Sequence, residues 1–270
     1  EMKKAGYNHS FALGSIAGSA CLGMLIPPSV LLIVWGIITE DSIGKLFVAG
    51  VIPGILLAIL FASYNFIKAS MEPSIAPEPD KVGNVSKLTK TEYYSGFSII
   101  ALIFLVLGGI WGGIFTATEA AGMGAIASFI IALFKGMRLK GVVESIIDAG
   151  KTSAPIMILL ITAGMYSRFL SLSDINTIII DAISSVGMNE FSVLLMMVLI
   201  WLVLGMLLDS ISIILLTVPL FIHLVPDVNP YAFAIFGILA IEAGLLTPPF
   251  GLIVYTVKGV LTGSNDDVSL

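Results

Sequence analysis

Gly23-Met24-Leu25-Ile26-Pro27-Pro28 lies inside a long apolar run near the start of the chain, and Gly244-Leu245-Leu246-Thr247-Pro248-Pro249 repeats its pattern inside another near the end. Tandem prolines remove two backbone donors and clash with the preceding turn, so a helix that meets them breaks and leaves carbonyls without partners. Hydrocarbon cannot satisfy those carbonyls. Irregular backbone survives at membrane depth only where protein buries it or it lines a watered cavity. Matching breaks in two halves of an apolar chain are the sequence pattern of a transporter's substrate and ion site. Two membrane helices broken by design are therefore expected, and transport is the first hypothesis.

Composition points to the same class independently. Of 270 residues, 57% are hydrophobic and 11% charged, with a mean hydropathy of +1.06. An all-α, polytopic membrane protein follows. With about 20 residues per crossing as the ruler, spans are expected at 12–38 (broken at 23–28), 46–68, 95–115, 119–135, 153–170 and 231–262 (broken at 244–249). The net charge of -5 says little about partners, because placement of charge relative to the spans decides orientation. Cys21, the lone cysteine, reads as a small packing residue. The chain opens abruptly at Glu1-Met2-Lys3-Lys4 with no secretory signal pattern, and it reads as a piece of something longer.

If the residues before 12 are cytoplasmic, then 69–94, 136–152 and the C-terminal end are cytoplasmic too. Lys3, Lys4, Lys68, Lys81, Lys87, Lys90, Lys135, Arg138, Lys140, Lys151 and Lys258 then share that side, against Lys45 and Arg168 opposite. The excess of cations inside favours this orientation, with both ends of the chain cytoplasmic. The segment 70–92, with Pro73, Pro77 and Pro79, reads as a linker.

The apolar stretch 191–224 is longer than one crossing and has Gly205, Asp209, Ser210 and Ser212 near its middle. It is either two short spans joined by a tight turn or a re-entrant hairpin with its tip inside the protein. The hairpin is preferred, because an intramembrane charge is costly unless it faces a cavity or an ion. The plain alternative for Asp209 is a cap on the helix that follows.

Several pieces carry a resemblance in a consistent order: Gly14-Ser15 through Leu22-Gly23-Met24-Leu25-Ile26-Pro27-Pro28-Ser29; Ser42-Ile43-Gly44; Gly50-Val51-Ile52-Pro53-Gly54; Gly113-Ile114-Phe115-Thr116-Ala117-Thr118-Glu119-Ala120-Ala121; Gly205-Met206-Leu207-Leu208-Asp209-Ser210; and Glu242-Ala243-Gly244-Leu245-Leu246-Thr247-Pro248-Pro249-Phe250-Gly251. Together they resemble the large membrane subunit of tripartite ATP-independent periplasmic (TRAP) transporters. That subunit carries a further hairpin at its N-terminus, ahead of the part resembled here.

The resemblance implies an inverted-repeat, elevator-type secondary transporter of the bacterial inner membrane, coupled to sodium. It also implies a small membrane subunit as partner and a periplasmic binding protein that delivers an organic acid. No organic cofactor and no nucleic-acid partner are expected. On that plan 1–40 holds the first broken helix of a transport domain, 41–190 holds scaffold and connecting arms with the linker 70–92, 191–262 holds the second hairpin and broken helix, and 263–270 is a tail. Expected sodium ligands are Ser19, Gly23 and Ser29 around the first break and Asp209, Gly244 and Thr247 around the second, mostly through backbone carbonyls. Sodium is a hard cation that suits such oxygens. Substrate contacts are expected at Pro27, Pro28, Ser210, Pro248, Pro249 and Arg168. The sequence departs from the common family pattern at Ala20, Cys21 and Ile253.

Each residue also has a plainer reading. Ser19 and Ser29 can bond back to a carbonyl one turn earlier. Arg168 either clamps a carboxylate or snorkels from a span end. Glu242, just before the second break, either faces the cavity or pairs with a neighbouring helix and ranks below Asp209, and Thr118-Glu119 read as a helix start. His9 and His223 lack partners at metal-ligand spacing. Trp35, Trp111 and Trp201 pack or anchor at interfaces. Two other classes stay in view. An intramembrane aspartyl-type enzyme needs a pair of carboxylates, and Asp209 has no matching second motif. A passive structural subunit has no use for paired helix breaks.

Overall fold

The computed structural model describes residues 2, 6–76, 89–247, 251, 253 and 256, apart from the side chains of Lys90, Thr91 and Ser184. Among the described residues the chain forms ten α-helices: α1 His9–Leu25, α2 Val30–Thr39, α3 Ile43–Met71, α4 Lys90–Trp111, α5 Ala117–Phe134, α6 Leu139–Leu172, α7 Ile175–Ser185, α8 Glu190–Gly205, α9 Ser210–Phe221 and α10 Pro230–Leu246. His9–Thr39, Ile43–Met71, Glu92–Trp111, Ala117–Phe134 and Leu139–Leu172 are long and apolar enough to cross a bilayer. The protein is an all-α, polytopic membrane protein.

Local chemistry sets the helix ends. Asn8, Ser29, Ser42, Asn189, Asp209 and Asn229 each cap a helix by accepting a backbone N–H, which satisfies one of the donors a helix start leaves orphaned. Thr89 with Glu92 and Thr116 with Glu119 form reciprocal capping boxes. The start of α5 is thus capped by Thr116, two residues ahead of the expected Thr118, which lies inside the helix. Glu119 is the acid that closes the box.

Two helical segments exceed expectation. α6 begins at Leu139 and runs unbroken to Leu172 past Pro155, whereas the sequence suggests a span only from 153. Its first part carries the pairs Lys140–Glu144 (3.8 Å) and Asp148–Lys151 (3.2 Å) on the outside of the helix, so polar residues there solvate a helix and do not form a loop. α7 lies where the sequence reading places no helix, with apolar Ile175, Ile178, Ile179 and Ile183 at helical spacing.

The chain divides into two compact units. One comprises α1–α3 and the residues from 163 through α10; the other holds α4, α5 and α6 up to Thr162. In the second unit α4 packs on α5, and Lys135 Nζ donates to Ser95 Oγ at 2.8 Å. In the first, α10 packs on α8, α3 and α1, while α2 packs on α9. Its core is aromatic: Trp35 and Trp201 are fully buried, with ring centroids 6.4 Å apart, and both lie against Phe233 at 5.7 Å. Trp201 Nε1 donates to Thr217 Oγ1 at 2.8 Å, which meets the need of a buried indole for an acceptor. These two tryptophans are core residues; Trp111, at the end of α4, is exposed.

Candidate functional site where the chain breaks meet

The first break falls at 26–29, between α1 and α2, so Gly23 still belongs to α1. Its carbonyl would bond the N–H of residue 27 in a continuing helix, and Pro27 has none to give. Pro28 likewise deprives the Met24 carbonyl, and the Ser29 hydroxyl donates to that oxygen instead. The same hydroxyl accepts from Leu32 N at 3.3 Å to start α2, and Ser29 is fully buried. Pro27 is buried and Pro28 exposed. Ser19 is exposed and donates back to Ile16 O at 3.1 Å, the plainer of its two expected roles. Gly23, one turn beyond Ser19 on α1, is exposed as well.

The second break opens in the same way. Thr247 N bonds Gly244 O at 3.0 Å, one residue short of helical register, and Thr247 Oγ1 donates to Ala243 O at 2.7 Å. Each break therefore places a hydroxyl on a carbonyl that the prolines, or the tightened turn beside them, leave unused. Pro248 and Pro249, the expected second half of this helix to 262, and the tail 263–270 lie outside the described residues, save residues 251, 253 and 256.

The stretch 191–224 folds as α8 and α9 joined at 206–209. At 16 and 12 residues these helices reach about 24 and about 18 Å, short of the roughly 30 Å of a hydrocarbon core. At the turn, Gly205 meets Gly244. A Cβ on Gly205 would lie 2.7 Å from Gly244 Cα, and one on Gly244 would lie 2.9 Å from the carbonyls of Trp201 and Leu202. Two glycines let the hairpin tip sit against the second break backbone to backbone. The first break rests on α3 similarly: a Cβ on Gly50 would meet Leu25 O at 2.8 Å, and one on Gly54 would meet Ile26 Cγ1 at 2.6 Å.

The two carboxylates sit in different settings. Asp209 is exposed, with Oδ2 accepting from Ser212 N at 3.0 Å and Oδ1 from Ser212 Oγ at 2.6 Å; it is the cap of α9. Glu242 is the interior acid, 4% exposed. Its Oε1 accepts from buried Ser210 Oγ at 2.6 Å, and its Oε2 is buried without a hydrogen-bond partner among the described residues. The Ser210–Glu242 bond ties the hairpin to the second broken helix, on which α1 also packs. Arg168 is exposed near the end of α6, the setting of a snorkelling side chain.

Glu242 was legible as an acid just ahead of Thr247-Pro248, but the sequence does not choose between a cavity and a neighbouring helix for its side chain. Gly50 and Gly54 carried a signal in their spacing within an apolar run.

Residues 1–269 match the family described as tripartite ATP-independent periplasmic transporter, DctM component. Among similar proteins, the C4-dicarboxylate TRAP transporter large permease protein DctM of Pseudomonas aeruginosa is 30% identical over 96% of this chain and 61% of its own length. The ectoine TRAP transporter large permease protein TeaC of Halomonas elongata is 31% identical, again over 96% and 61%. The sialic acid TRAP transporter large permease protein SiaM of Vibrio cholerae is 29% identical, with 96% and 61% covered. The chain spans about three-fifths of the length of these relatives. By its match along nearly its whole length, this chain belongs to the DctM family of TRAP transporter large permeases.

Proposed function

We propose that the chain forms much of the moving core of a sodium-coupled secondary transporter that takes up an organic acid across the bacterial inner membrane by an elevator movement. A small membrane subunit widens the scaffold, and a periplasmic protein delivers the substrate. The observation that carries this reading is the packing of a short hairpin tip on the second broken helix at Gly205, Gly244, Ser210 and Glu242, with α1 and α2 of the first broken helix packed on α10 and α9. Half-helices that end inside a bundle offer backbone carbonyls to a cation and positive helix starts to an anion. The relatives named for C4-dicarboxylate, sialic acid and ectoine support an organic acid as cargo.

On this reading sodium is held by carbonyls at the two breaks, those of Gly23 and Gly244 above all, with Ser19, Ser29 and Thr247 beside them. Asp209 supplies negative charge from the hairpin turn. Pro27, Pro28, Ser210, Pro248 and Pro249 shape the substrate side, and Arg168 attracts the acid from the periplasmic surface. The hairpin α8–α9 enters and leaves on one side of the membrane.

The test is uptake of radiolabelled sialic acid, C4-dicarboxylates and ectoine into proteoliposomes holding the full-length protein with its small subunit and binding protein, under imposed sodium gradients. Uptake of one of them should require sodium and all three components. Uptake that proceeds equally in potassium or without the binding protein would refute the coupling.

A further inference from the structure

The unit made of α4, α5 and the first part of α6 holds a cavity of its own. It measures about 580 Å³ and opens between the second half of α5 and the start of α6. Ala125, Ser128 and Ala132 line it from α5, and Val142, Ile146 and Ala149 from α6. Both sets recur at helical spacing, so each helix turns one face to the cavity. Two hydroxyls border it, and both are spent on their own helices. Ser128 Oγ donates to Gly124 O at 2.7 Å, and Ser145 Oγ donates to Gly141 O at 2.8 Å. The wall therefore offers methyl and methylene contact and little to a polar ligand.

One end of this cavity is cationic. Met137 and Val142 line it on either side of the entry to α6, and residues 135–143 carry Lys135, Arg138 and Lys140 with no acid among them. Arg138 and Lys140 are exposed. Lys140 reaches Glu144 only at 3.8 Å, with both side chains well exposed, a weak pair that leaves the charge available. Lys135 Nζ donates to the neutral Ser95 Oγ at 2.8 Å. α6 begins at the same place, and the positive end of a helix adds to the attraction for an anion. From this end the lining between Ala132 and Ala125 runs about 10 Å along α5, a large part of the roughly 15 Å of one leaflet's hydrocarbon. Lys140, Glu144, Asp148 and Lys151 pair on the opposite face of α6, so this stretch is amphipathic in the manner of a helix at a membrane surface.

We propose that this cavity binds an anionic phospholipid, with one acyl chain lying between α5 and α6 and the phosphate held at Lys135, Arg138 and Lys140. The occupant follows from the pairing of an apolar slot with cations at one end. An apolar helix of a partner would match the slot and leave the cations unused, and a soluble anion would match the cations and leave the slot empty. By the placement of lysine and arginine along the chain this end faces the cytoplasm, and basic pockets between membrane helices on that side suit anionic headgroups. Such a site needs only that the chain lie in a bilayer; neither the cargo nor the coupling ion enters.

Native mass spectrometry of the full-length protein with its small subunit, titrated with phosphatidylglycerol or with phosphatidylcholine of the same acyl chains, tests the site. Phosphatidylglycerol should bind more tightly. Its advantage should shrink about fivefold for each cation removed in Arg138→Gln and Lys140→Gln, the ~1 kcal/mol of a basic residue beside an anionic membrane surface. Ala132→Phe, which fills the slot and leaves the cations in place, should weaken both lipids. Lys68→Gln, which removes a cation of the other unit, should leave the advantage as it was. Equal binding of the two lipids would overturn the proposal. An advantage that Lys68→Gln lowers as much as Arg138→Gln would also overturn it, because that describes attraction to the surface at large. Release of the small subunit by Ala132→Phe with lipid binding unchanged would give the slot to a partner helix, against the proposal. Arg138 and Lys140 are exposed, so their variants decide alone if Ala132→Phe does not fold. Because no uptake is measured, a failed transport assay would count against the transporter reading and leave this result standing.

Discussion

Gly244 is where a single atom matters most. A methyl group there would meet two backbone carbonyls and the neighbouring Gly205 at about van der Waals overlap, and backbone cannot rotate out of the way as a side-chain tip can. Gly244→Ala should destabilise the purified protein by about 1–3 kcal/mol, read as a lowered unfolding temperature; an unchanged temperature would mean the hairpin tip does not press on the second break. Asp209 allows a cleaner separation of roles. Asparagine accepts the same backbone bond, so Asp209→Asn should cost a few tenths of a kcal/mol where Asp209→Ala costs about 1. If the charge also helps hold sodium, Asp209→Asn should raise several-fold the sodium concentration needed for half-maximal uptake while stability stays put. An unaltered sodium requirement would leave the residue as a helix cap. Asp209 and Glu242 also mark what residue-level reading cannot reach: both are acids in apolar runs beside a break, and only the packing of α10 against α1 and α9 turns one inward and leaves the other outside.

At the scale of elements, the proline pairs decide the architecture. Replacing Pro27 and Pro28 by alanine returns backbone donors to the Gly23 and Met24 carbonyls, so α1 and α2 should fuse into one helix. The double variant should gain helical circular dichroism at no loss of stability and lose transport by at least about tenfold, on the reading that free carbonyls serve the ion. Transport at the original rate through a fused helix would remove the break from the mechanism. Helix existence was readable from apolar run length, and the first break from Pro27 and Pro28, because both are local properties. The start of α6 was not, because charged residues at helical spacing look like loop when read by hydropathy alone; Lys140, Glu144, Asp148 and Lys151 line the outside of a helix. Nor was α7, because its 11 residues fall well short of the roughly 20 of a crossing.

For the whole molecule, the distribution of lysine and arginine predicts which way the chain threads the bilayer. With Lys140→Cys, an exposed position, a membrane-impermeant thiol reagent should label only from the cytoplasmic side, and with Asp227→Cys only from the opposite side. The native Cys21, being buried, should contribute little background. Labelling from the reverse sides would invert the topology and with it the direction assigned to the binding protein. The claim on which everything else depends is that sodium is held where the two broken helices and the hairpin meet. Equilibrium binding of radiolabelled sodium to the purified full-length protein tests it most directly, comparing wild type with Thr247→Val, which keeps the shape of the side chain and removes its hydroxyl beside the Ala243 and Gly244 carbonyls. Saturable sodium binding that weakens by roughly tenfold, about 1.4 kcal/mol, in Thr247→Val is the predicted result; absence of saturable binding, or binding that the variant leaves untouched, would contradict it.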